Sequence, residues 1–95
     1  MFIVNLNYKK DMEEVDKVLP YHIEFLEKYY SKNKFICSGR KNPRTGGIII
    51  INSNDKNEVQ KIISEDPFNI NKVAEYEVIE FMHTKYAEKF SAFLK

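Results

Sequence analysis

The sequence predicts an α+β domain, a ferredoxin-like βαββαβ sandwich with helices on one face of a four-stranded sheet. Three observations carry that class. Residues 2–8 alternate apolar and polar, and a long stretch with helical spacing follows them. Two β-rich runs, 34–39 and 48–53, flank the turn-rich "RKNPRTGG". A second helical pattern and a last strand, 73–82, then repeat the opening order.

In the first strand, Val4, Leu6 and Tyr8 stand against Asn5 and Asn7, the period of a strand with one wetter face. Asp11 offers a helix cap, and "MEEVDKVL" continues with acids early in the turn and Val15, Val18 and Leu19 on one side. Pro20 interrupts, since a proline inside a helix deletes a hydrogen bond and crowds the preceding turn. The spacing therefore predicts a short helical turn over 12–17 and a main helix from Pro20 to about Lys32. The inner stripe of that helix is His22, Phe25, Leu26 and Tyr29, with His22 in its first turn.

The strand 34–39 closes on a glycine, and 48–53 follows the loop 40–47. Ser53 or Asn54 is the expected cap of a second helix whose buried stripe is Val59, Ile62 and Ile63. "EDPF" ends it, because a residue before proline avoids the helical region. Residues 84–95 read as a short amphipathic helix with Tyr86, Phe90, Phe93 and Leu94 on its apolar side. The division expected is thus a domain over 1–83 and a C-terminal helical extension over 84–95.

The four isoleucines at 48–51 add a statement about assembly. A strand apolar on successive residues has both faces dry, yet helices in a two-layer sandwich cover only one face of the sheet. A partner's identical sheet is the simplest cover, so a homodimer through the sheet faces is expected.

Composition narrows the rest. Ninety-five residues make one domain, and a net charge of +1 gives no field to draw it to nucleic acid or an acidic membrane. No apolar run is long enough to cross a bilayer, and the first residues lack a signal peptide's basic start. One cysteine, Cys37, reads as a buried structural thiol, and a single cysteine fits a reducing cytoplasm. Neither His22 nor His83 has a second ligand at suitable spacing, so no metal and no cofactor are expected.

"PYHIEFLEKY", "FICSG", "NPRTGGIIII" and "EDPF", at these spacings, resemble the YCII-related (YciI-like) domain family over roughly residues 1–82. The resemblance implies a dimeric α+β barrel, two ferredoxin-like sheets packed face to face. It also implies an active site built from the helix histidine and the aspartate of the DP turn, which are His22 and Asp66 here. Members often carry proline after the strand-ending glycine; this chain has Arg40, which makes the mouth of the pocket more basic.

The chemistry follows from the residue types. A histidine at a helix start meets the positive dipole end, which disfavours the imidazolium and keeps a basic nitrogen available. A carboxylate partner opposes that effect, orients the ring and leaves a base near neutrality. Arg40 and Arg44 are positioned in sequence to clamp a carboxylate or enolate oxygen, with Ser38 and Thr45 as hydroxyl donors beside them. Lys41 reads as solvated. An ordinary core histidine and a turn aspartate bonding its own backbone are the competing readings of the pair.

The function expected is a small-molecule enzyme using His22 and Asp66 for general acid–base chemistry on an anionic metabolite, as an isomerase, lyase or dehydrochlorinase would. The alternative is a non-catalytic ligand-binding homodimer of the same fold. RNA binding shares this element order, but "GGIIIIN" offers no aromatic for base stacking.

Overall fold

A computed structural model describes residues 1–94. Strand β1 (Phe2–Tyr8) leads into helix α1 (Met12–Ser31), then strands β2 (Phe35–Arg40) and β3 (Gly46–Ile51). Helix α2 (Lys56–Ser64), the short helix α3 (Pro67–Ile70) and strand β4 (Ala74–Glu80) complete the domain. The sheet is antiparallel, with strand order β2-β3-β1-β4. This is the ferredoxin-like α+β fold, the protomer fold of the dimeric α+β barrel class.

Register assigns the two faces. Phe2, Val4 and Leu6 pair with Ile51, Ile49 and Gly47, and these positions look toward the helices. Phe2, Val4 and Ile51 are fully buried there, each contributing about 1.5–3 kcal/mol by leaving water. Val15, Phe25 and Tyr29 of α1, Val59, Ile62 and Ile63 of α2 and Phe68 of α3 close the core. On the opposite face Ile3 pairs with both Ile50 and Ile79, and Ile48 pairs with Asn5. No element among the described residues covers that face fully: Ile3, Ile48 and Ile50 are half-buried and Ile79 is exposed. Cys37, opposite Ile50, is also exposed rather than buried, because it belongs to this outer face.

Helix α1 corrects the expected break at Pro20. It runs unbroken for 20 residues, capped by the Asp11 side chain, which accepts the Glu14 N–H at 3.0 Å. Pro20 and Asp16, whose carbonyl loses its amide donor, both face solvent, so water replaces the missing bond. The buried stripe Val15, His22, Phe25 and Tyr29 passes straight through. The helix stops where Asn33 takes a left-handed φ of 59°, with Lys34 N–H bonding Tyr29 O and Asn33 N–H bonding Tyr30 O, a Schellman closure.

The cap of α2 is Asp55, not Ser53 or Asn54, and it accepts the Asn57 N–H. Ser53 instead accepts the Asp55 N–H and donates to Glu58, fixing the approach to the helix. Beyond β4 the short amphipathic helix expected over 84–95 is a 3₁₀ helix over Glu88–Leu94. Tyr86 and Phe93 remain half exposed there; a short segment without a packed face gains too little to close a regular helix. Lys95, the last residue of the expected helix, lies outside the described residues. No helix among the described residues is long and apolar enough to cross a membrane.

Candidate active site

Three elements converge on one histidine. The α1 stripe turns His22 inward, where it is 8% exposed. The junction of α2 and α3 delivers Asp66, fully buried, as the N-cap of α3. The two are 44 residues apart in sequence, and His22 Nδ1 lies 2.8 Å from Asp66 Oδ1. A carboxylate only accepts, so Nδ1–H donates and Nε2 is the nitrogen left free for a ligand. Phe68 stacks on the imidazole with ring centroids 4.0 Å apart and planes at 10°, which holds the ring by its face.

Asp66 is fully engaged. Its Oδ1 also accepts the Phe68 N–H at 3.0 Å, and its Oδ2 accepts the Tyr76 hydroxyl at 2.6 Å. Three donors satisfy a carboxylate that burial would otherwise penalise. Burial, and next the Asp66 charge, push the Tyr76 phenol far above its ordinary range, so it stays a donor.

His22 opens onto a cavity of about 260 Å³. Its apolar wall comes from Leu19, Ile23 and Leu26 of α1 with Leu6 and Ile49 of the sheet. Its polar rim is Ser38 and Arg40 of β2 and Tyr8 of β1. Ser38 Oγ is 2.7 Å from the Tyr30 hydroxyl, which fixes its position. Gly47, on the helix-facing side between Leu6 and Arg40, lines the cavity without adding a side chain to it.

Of the residues expected from sequence, the structure brings together His22, Asp66, Ser38 and Arg40. It does not bring Arg44 or Thr45 to the cavity. Arg44 is engaged by Asp16 of α1 at 2.8 Å, and the Thr45 hydroxyl bonds the Pro43 carbonyl at 3.4 Å. The dipole argument for His22 also fails, because the continuous α1 places it mid-helix, beyond the reach of either terminus. Its chemistry rests on Asp66 instead. Tyr76 is the residue sequence reasoning missed; a tyrosine between Ala74 and Val78 on the inner side of a strand carries a hydroxyl that needs a partner, and that was the available signal. Among the described residues no group of three or more His, Cys, Asp or Glu is placed to hold a metal ion.

The family model for the YCII-related domain matches residues 1–82. No curated protein sequence matches the chain significantly. Among solved structures, the fold is similar to that of 5-chloro-2-hydroxyhydroquinone dehydrochlorinase from Burkholderia phenoliruptrix AC1100, solved in complex with 2,5-dihydroxybenzoquinone. The TM-score is 0.71 at 18% identity, covering 87% of this chain and 95% of that one, a likeness of fold.

Proposed function

We propose that this chain, which belongs to the YCII-related domain family, is a small-molecule enzyme with His22 as general base and Asp66 as its orienting partner. The observation that carries the reading is the buried Nδ1–Oδ1 contact beside a cavity lined by both sheet and helix. Nε2 takes a proton from a carbon next to a carbonyl, and Asp66 steadies the imidazolium that forms. The electron pair passes into an enolate, whose oxygen takes the Arg40 guanidinium and the Ser38 hydroxyl. Return of the proton to another carbon gives isomerisation; departure of a leaving group with its bonding electrons gives elimination, as in a dehydrochlorinase.

The cavity is small for a ligand site, which favours a substrate of one ring. Arg40, with no acid bonded to it among the described residues, favours an anionic one. Arg44 and Thr45 serve in this reading by tying the loop to α1 and to itself. The working form is a homodimer joined through the outer sheet faces, in a reducing cytoplasm that suits a chain with one cysteine.

The test uses 2,5-dihydroxybenzoquinone and ring-sized halogenated hydroquinones in heavy water. Expected are exchange or halide release that His22→Ala abolishes, and binding weakened roughly tenfold by Arg40→Gln. Saturable binding with neither exchange nor product would leave the ligand-binding dimer as the function.

A further inference from the structure

We infer that Tyr76 is a positioning residue for His22, acting through Asp66 by setting how much negative charge the carboxylate presents to the imidazole. The inference rests on the His22–Asp66 pairing of the proposed site and goes beyond it. Tyr76 is outside the cavity lining, so its effect on a ligand is indirect. Register shows why it can do this. Arg40, Gly47, Leu6 and Tyr76 form one row across the helix-facing side of the sheet, from β2 to β4. Arg40 ends the row at the cavity mouth, and Tyr76 ends it beneath Asp66.

The two carboxylate oxygens divide the work. Oδ1 holds His22 and the Phe68 amide; Oδ2 holds the Tyr76 hydroxyl at 2.6 Å, a short charge-assisted bond. A donor on Oδ2 withdraws charge from Oδ1, so the carboxylate attracts the ring proton less strongly. The groups facing His22 are Asp66 from the α2–α3 junction, Tyr8 from β1 and Arg40 from β2 across the cavity. Tyr76 of β4 reaches it only through Asp66.

The test is an NMR titration of the His22 ring in the intact chain, with amide spectra and thermal melts as controls of folding. Tyr76→Phe removes one oxygen and should raise the titration midpoint by about half a unit or more. Asp66→Asn should lower it, and adding Tyr76→Phe to Asp66→Asn should move it no further. Replacing Tyr76 by 3-fluorotyrosine, which keeps the shape and strengthens the donor, should lower the midpoint. If Asp66→Asn shifts the midpoint while Tyr76→Phe and 3-fluorotyrosine leave it in place, Tyr76 has no positioning role and the pair stands alone. A shift from Tyr76→Phe that persists in Asp66→Asn overturns action through Asp66. If Asp66→Asn itself has no effect, the paired site fails as well.

Discussion

Gly47 stands opposite Leu6 in the β1–β3 ladder, on the side of the sheet that packs against the helices. At the preceding residue the requirement is different: a Cβ on Gly46 would overlap the Leu6 carbonyl oxygen. One glycine lines the cavity and the other lets two backbones meet.

The two glycines should therefore separate on substitution. Gly46→Ala forces β1 and β3 apart and should cost at least about 3 kcal/mol, read from denaturant unfolding. Gly47→Ala places its Cβ 3.0 Å from the Gly39 carbonyl oxygen, a tight contact that a small shift relieves. It should cost only about 1 kcal/mol while reducing affinity for ring-sized anions. Equal losses of stability in the two variants would show that Gly47 is also there for packing.

Ile50 tests the assembly. It faces away from the helices between Ile3 and Cys37, so Ile50→Lys adds a charge to the outer face and leaves the core intact. A dimer held by that face should become monomeric with an unchanged circular dichroism spectrum, because the apolar area that offsets the cost of association is lost. Light scattering that finds the wild type monomeric at micromolar concentration sinks the sheet-face dimer.

Acid should weaken the fold through Glu58. The Ser53 hydroxyl, and next the Lys34 ammonium, donate to its carboxylate and hold it below the ordinary glutamate value of 4.5. A depressed carboxylate contributes stability above its unfolded value and loses it as pH falls through the folded one. Thermal midpoints should thus drop as pH goes from 5 toward 3, and Glu58→Gln should flatten that drop. Superimposable curves would assign the acid sensitivity to other carboxylates, Glu65 with Lys28 first among them.

Much of this was legible beforehand because periodicity reports burial. Alternation in 2–8 and the isoleucine run gave the strands, and the core residues Val59, Ile62 and Ile63 emerged from helical spacing alone. Pro20 misled because its penalty depends on whether the orphaned carbonyl meets water, which a sequence does not state. Arg44 misled for a related reason. A guanidinium goes to a nearby acid, and Asp16, 28 residues away in sequence, comes within reach only in the folded chain. His22 and Asp66 were picked out by resemblance and residue type. Tyr76, on a third element, could be joined to them only by strand register.

The unbroken passage of α1 through Pro20 has a kinetic side. Proline carries no amide hydrogen, so the ladder of exchangeable protons along the helix has a gap at its centre. N-terminal to that gap the helix holds by its Asp11 cap, the buried Val15, the half-buried Val18 and Leu19 and the Asp16–Arg44 ion pair; C-terminal to it, His22, Phe25 and Tyr29 are all buried. The two halves therefore form unequal opening units, and the first turns can fray and reclose while the half that bears the imidazole stays seated against Asp66.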